Sequence, residues 1–303
     1  MPKSRAVQRQ LGQYWTPEVL VDFMLDIAQF QPDWKVIDPA CGEGVFLKRA
    51  LERGAQQVVG IDIDPETLER ARENLAPYGD RVRLYLQDGL LPIEDPDPYW
   101  QSDYDLVIGN PPFAATGYRV RDPKILERFE LSQEPIREGE EQASLFETDE
   151  YRPKRRKPSV AIEVLFVERF LQLCKPGGVV CMVVPRGILA NRNLMYVRKW
   201  LTTNYSLRCV FDMPQEAFKG VGANALASIL LVDKCRIKKN AKVMLTYLSD
   251  VDWNAPYDAP SNAWLRKLAE IANLSTNRAR AGKPPPKLSA RQPRKPPCTD
   301  AQR

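Results

Sequence analysis

The stretch Lys35-Val36-Ile37-Asp38-Pro39-Ala40-Cys41-Gly42-Glu43-Gly44 reads as a buried strand running into a glycine-containing turn, with a helix from about 44 to 52 behind it. Small residues at a strand-to-helix junction let the backbone approach a ligand closely at the C-terminal edge of a sheet. The position suits a nucleoside, and a plain tight turn is the alternative. Working downstream, strands are expected at Val58 to Asp62, Val82 to Leu86, Tyr104 to Ile108 and Val179 to Val184, with helices at 65–75 and 159–174. Upstream, Thr16 as N-cap and Pro17 at the first helical position open an amphipathic helix to about Ala28. Strand alternating with helix predicts an α/β protein with a doubly wound, mostly parallel sheet. The last third reads differently: after a helix at 193–203, the strands Leu207 to Met213 and Ala225 to Val232 have no helical pattern between them, which predicts an antiparallel pair. A strand near Lys242 to Leu248 and a helix at 262–273 close the ordered part, and no internal repeat is evident.

The 303 residues can bury one large domain with appendages. Hydrophobic residues at 44% and charged residues at 27% are near globular averages, and no apolar run approaches the ~20 residues of a membrane span. The N-terminal charges lead into polar Gln8-Arg9-Gln10 rather than an apolar signal core, so a cytoplasmic location is expected. Six scattered cysteines without a CxxC pair, and the lack of any histidine, argue against a metal site or a histidine-based triad. The net charge of +5 decides little by itself. Two segments do not fit the alternation. Residues 114–157, acidic and then basic at 152–157, form an insertion longer than the usual ~12 to 15 residues of a loop, functional or flexible. The tail 276–303 is rich in Pro, Lys and Arg and cannot build a core; its cations and the 152–157 run either touch phosphates or are simply solvated.

Asp62 ends the second strand about twenty residues after the first turn, where a carboxylate can take ribose hydroxyls; Asp64 before Pro65 caps the next helix and leaves Asp62 free. At the end of the third strand, Gln87-Asp88-Gly89 offers a carboxylate for an adenine amino group, or merely an Asp-Gly turn. Gly42 and Gly44 lack the third glycine of a dinucleotide fingerprint, and no Gly-Lys-Ser/Thr occurs, so nicotinamide and Walker-type sites are disfavoured. The most specific element is Asn110-Pro111-Pro112-Phe113, directly after a strand. Two prolines remove two amide donors and leave carbonyls as acceptors. An Asn oxygen and a proline carbonyl together present two acceptors to one NH2 group, and Phe113 offers a face for stacking a base. An exocyclic amine of a purine is a poor nucleophile, and two acceptors can hold its nitrogen in a more reactive, more tetrahedral form.

On these residues the sequence resembles the N6-adenine DNA methyltransferases of the gamma arrangement, particularly the modification subunits of type I restriction systems and their relatives. The resemblance spans roughly residues 10–235. Gly12-Gln13-Tyr14-Trp15-Thr16-Pro17 is similar to the family's element before the cofactor loop. The resemblance implies the S-adenosylmethionine-dependent methyltransferase (Rossmann-like) fold, with a seven-stranded sheet whose last strand is antiparallel, over residues 17–250. Residues 1–16 are then an arm that begins the cofactor element, and 251–275 a C-terminal helix. It implies S-adenosyl-L-methionine (SAM) as cofactor, held by Tyr14, Thr16, Pro17, Asp38, Pro39, Ala40, Cys41, Gly42, Gly44, Asp62, Ile63, Asp88, Gly89 and Asn110. Asn110, Pro111, Pro112 and Phe113 form the catalytic loop, and Phe218 is the candidate for the second stacking face. DNA is the implied partner. The residues after 235 are few for a target-recognition module, so a separate specificity subunit or a truncated frame is implied, and the helical N-terminal domain of many type I subunits is missing. Similar tetrapeptides in RNA-base and glutamine-amide methyltransferases, or a catalytically idle DNA-binding subunit, are the alternatives.

Overall fold

The computed structural model describes residues 16–113, 118–135, 154–217, 226–235 and 242–276. Helix α1 (Glu18–Ile27) precedes β1 (Lys35–Asp38), α2 (Val45–Glu52), β2 (Gln57–Asp62), α3 (Pro65–Leu75), β3 (Val82–Leu86) and β4 (Tyr104–Gly109). The chain then forms β5 (Arg119–Val120), the single turn α4 (Pro123–Leu126), β6 (Gln133–Pro135), β7 (Lys154–Arg156) and β8 (Val160–Ala161). It returns through α5 (Ile162–Leu173), β9 (Cys174–Pro185), α6 (Gly187–Ala190), α7 (Met195–Asn204), β10 (Ser206–Asp212), β11 (Ala227–Asp233), β12 (Met244–Tyr247) and α8 (Ala263–Thr276).

The main sheet runs β12-β10-β11-β9-β4-β1-β2-β3. It has eight strands rather than the expected seven. The stretch near 242–248 pairs in parallel with β10, Cys209 opposite Met244 through Asp212 opposite Tyr247, and so becomes the edge. The antiparallel strand is β11, wedged between β9 and β10; the other main-sheet pairings are parallel. Both faces are covered, because side chains alternate with a period of two along each strand. Leu106, Ile108, Cys181, Val183 and Phe211 join the core under α1, α2, α3 and α8. Val107, Val180, Met182 and Val184 join the core under α5 and α7.

Helix α1 was expected to be amphipathic, yet Val19 through Leu25 are all buried, Asp22 included. The reason is tertiary: α8 packs over it, so α1 lies between the sheet and a second helix layer. Asp22 is accommodated by charge-assisted bonds from Arg49 on α2. Part of the stretch expected as a long insertion carries regular structure: β5 pairs with β8 and β6 with β7. Val120, Leu126, Phe129 and Leu131 are buried against α5. The buried Glu168 carboxylate accepts from the Glu130 and Leu131 amides at 2.8 and 2.9 Å. Residues 136–153, most of the basic run's surroundings, and the tail beyond 276 lie outside the described residues.

The chain winds outward from β1 through β2 to β3, then crosses back to place β4 on the other side of β1. Adjacent strands whose connections leave in opposite directions open a crevice at their carboxyl ends, the usual ligand position in open α/β sheets. That crevice lies between Asp38, which ends β1, and Asn110, which follows β4.

Candidate active site

The loop after β1 is built by the backbone. Gly44 takes a left-handed φ of 86° as the N-cap of α2, a conformation open to glycine at no steric cost. The Cys41 amide donates to the Ile61 carbonyl at 2.8 Å, tying the loop to the end of β2. Asp62 is not left free: one carboxylate oxygen accepts from the Gly42 amide at 2.8 Å and the other from the Asp64 amide at 2.9 Å. Burial pushes its carboxyl upward, against these two bonds. Each oxygen keeps a second lone pair for a hydroxyl donor. Asp64 caps α3 as expected, accepting from the Glu66 amide. Ile63, beside Asp62, is 65% exposed and leaves an apolar surface at the mouth of the site.

Asp38 is 1% exposed. One of its oxygens accepts from the Ala40 amide at 3.0 Å, and its carboxylate covers the spot a side chain on Gly109 would fill. Burial, with Asp62 close by, raises its carboxyl to about 8. The loop after β3 fits against the Pro39 carbonyl so closely that a Cβ on Gly89 would overlap that oxygen. From the opposite side Arg169 of α5 grips the same loop, donating from Nε to the Gly89 carbonyl at 2.9 Å and from Nη2 to the Leu91 carbonyl at 2.5 Å. Asp88 forms the turn, accepting from the Leu90 amide at 2.9 Å. Sequence reading missed Arg169; its signal was a pair of charges, Glu168-Arg169, inside an otherwise apolar helical segment.

The tetrapeptide expected to be catalytic follows β4. Asn110 donates from Nδ2 to the Thr16 hydroxyl at 3.1 Å, while its Oδ1 is buried and has no hydrogen-bond partner. A buried carbonyl oxygen without a donor costs roughly 1–3 kcal/mol and marks either strain or function. Thr16 is not the N-cap of α1: Pro17 holds that position and, having no polar side chain, makes no side-chain cap bond, while the Thr16 hydroxyl meets Asn110. Pro111 is buried and Pro112 half-buried, and among the described residues no backbone amide donates to the Pro111 carbonyl. Phe113 is 3% exposed and belongs to the core beneath α1, so its ring presents no open face and a stacking base must displace what covers it. Tyr14 and Phe218 lie outside the described residues.

The structure thus brings Thr16, Pro17, Asp38 to Gly44, Asp62, Asp88, Gly89 and Asn110 to one edge of the sheet. Its residues suit SAM: carboxylates for a cation and for hydroxyls, a close-approach glycine loop and an exposed apolar residue, beside a buried acceptor that has no donor. A recess of about 610 Å³ bounded by Glu18, Asp22, Arg49, Arg53, Trp253 and Tyr257 lies against α1 and α2, but its charges are already paired with one another. Among the described residues no helix is long and apolar enough to cross a membrane.

The fold is that of the SAM-dependent methyltransferases. Its backbone is similar to that of a Listeria monocytogenes protein assigned as a class I S-adenosylmethionine-dependent methyltransferase, with a TM-score of 0.62, 22% identity, 85% of this chain and 71% of that one. It is also similar to a modification subunit assigned to a type I restriction enzyme of Vibrio vulnificus YJ016, with a TM-score of 0.59, 19% identity, 90% of this chain and 55% of that one. The chain belongs to the N-6 DNA Methylase family, whose profile matches residues 3–253. Among curated proteins it is 28% identical over 197 residues to the type II methyltransferase M.TthHB8I of Thermus thermophilus, covering 64% of this chain and 39% of that protein. Over a shorter stretch of 92 residues it is 32% identical to a tRNA1(Val) (adenine(37)-N6)-methyltransferase of Yersinia enterocolitica, covering 29% of this chain and 35% of that one. The chain therefore spans about two fifths of the length of these relatives or less.

Proposed function

We propose that this protein methylates the exocyclic N6 amino group of adenine in DNA, as the modification enzyme of a restriction-modification or related defence system. The observation that carries the reading is the buried, donorless Oδ1 of Asn110 at the end of β4. An adenine amine supplies the missing donor: one N–H to Asn110 Oδ1 and the other to the Pro111 carbonyl. SAM, when bound, supplies a methyl group on a sulfonium. With both N–H groups held, the amine lone pair is directed at that methyl carbon; the new C–N bond forms as the C–S bond breaks, and the surplus amine proton leaves to water. The loop works by positioning, so a strong general base is not needed. The base must leave the DNA stack to reach the crevice. Membership of the N-6 DNA Methylase family supports DNA as substrate, and the sequence resemblance to type I modification subunits suggests a separate specificity subunit as partner.

A second reading, favoured by the tRNA methyltransferase match, keeps the chemistry and moves it to an RNA base. The test is transfer from labelled SAM to unmethylated DNA and to RNA, followed by mass analysis of the nucleosides. N6-methyldeoxyadenosine, lost in Asn110→Ala with SAM binding retained, is the expected result. Methylated ribonucleoside alone, or full turnover by Asn110→Ala, overturns the proposal.

A further inference from the structure

We infer that Thr16 is a positioning residue, whose hydroxyl holds the Asn110 amide in the orientation that leaves Oδ1 for the substrate amine. The inference rests on the proposed amine chemistry and assigns Thr16 a role other than helix capping or cofactor contact. An Asn amide presents an oxygen on one side and an NH2 on the other, and a half turn about its last torsion exchanges them. Exchanged, Asn110 would aim a donor at a donor, and the amine could not be held. Among the described residues the one polar contact on the amide is the bond from Nδ2 to Thr16 Oγ1 at 3.1 Å. A hydroxyl can accept or donate: with Thr16 accepting from Nδ2, Oδ1 is left for the amine, whereas an exchanged amide would take the Thr16 proton on Oδ1 and offer the amine no acceptor.

The holder is rigid. Thr16 is 2% exposed, and the next residue anchors α1, with the Pro17 carbonyl accepting from the Leu20 and Val21 amides at 3.0 and 3.2 Å. Helix α1 is itself buried between the sheet and α8. The hydroxyl is not used as a helix cap. A partner fixed by packing, joined to a residue 94 positions away in sequence, is the support that preorganised sites require.

Two substitutions separate this role from simple structure. Thr16→Val keeps the shape and removes the hydroxyl; Thr16→Ser keeps the hydroxyl. We expect the single-turnover methyl-transfer rate of Thr16→Val, measured at saturating SAM, to fall about 10-fold, the upper worth of one neutral hydrogen bond. Thr16→Ser should restore the rate. A second readout needs no activity: the side-chain amide resonances of Asn110, identified as the pair lost in Asn110→Asp, should shift in ligand-free Thr16→Val and stay in place in Thr16→Ser. Resonances unmoved by Thr16→Val, or an unchanged rate at saturating SAM, each overturn the inference. A wild-type protein that methylates no DNA, with the amide shift present, defeats the proposed function and leaves the Thr16 contact standing.

Discussion

Cofactor affinity should depend on the protonation of Asp38. Burial is the main cause that pushes this carboxyl up to about 8; the Ala40 amide opposes the shift and Asp62 adds to it. In the ligand-free protein the group is therefore mostly neutral near neutral pH. SAM carries a net positive charge, which favours the ionised carboxylate. Where only the ionised form binds, the apparent Kd scales as one plus ten raised to the difference between pKa and pH, so raising the pH from about 6 to about 7, below the range in which the ligand's own amine titrates, should tighten binding about 9-fold. The assay is a SAM titration across that range, with Asp38→Asn as the form that cannot ionise. A wild-type affinity that stays flat with pH, or an Asp38→Asn protein that follows the same curve, would refute the reasoning. Stability of the ligand-free protein should move the other way. Between the ordinary carboxyl value of 3.8 and about 8, the folded state holds the proton that the unfolded state has lost. This group's contribution to stability therefore declines as pH rises through that window and levels off above it, and Asp38→Asn should remove the slope.

Gly89→Ala forces a methyl onto the Pro39 carbonyl in a loop that Arg169 holds from behind; it should cost about 1–3 kcal/mol in urea unfolding and weaken SAM binding, and an alanine protein with wild-type stability and affinity would show that the loop has room the geometry denies. Arg208 and Asp233, 2% and 3% exposed, form a charged pair at 3.0 Å across β10 and β11, and Arg208 also donates to the Ile27 carbonyl at 3.1 Å. Arg208→Met should destabilise by roughly 3–5 kcal/mol, because it strands a buried carboxylate, and adding Asp233→Leu should recover much of the loss. Equal stability of the single and double variants would rule out that account.

Most of the elements were legible in the sequence because their signals are local. The runs 82–86 and 65–75 have a period, a cap or a proline that specifies strand or helix within a few residues, and the structure places both at those bounds. The placement of Asp38 to Gly44 and Asn110 to Phe113 at the ends of strands was legible for the same reason, since each stretch directly follows a short apolar run. Helix α1 was harder, since its burial on all sides depends on α8, about 240 residues later.

The sequence by itself determined the alternation and the positions of the glycine loop and the Asn-Pro-Pro-Phe tetrapeptide at strand ends, each a property of contiguous residues. Tertiary structure decided that β12 adds an eighth strand at the edge, that both Asp62 oxygens are engaged by backbone amides, and that Phe113 is covered. It also decided that Arg169 grips the Gly89 loop and that Thr16 meets Asn110. These contacts join residues far apart in the chain. Their geometry follows from sheet order and layer packing, which many weak contacts fix together and no local pattern encodes.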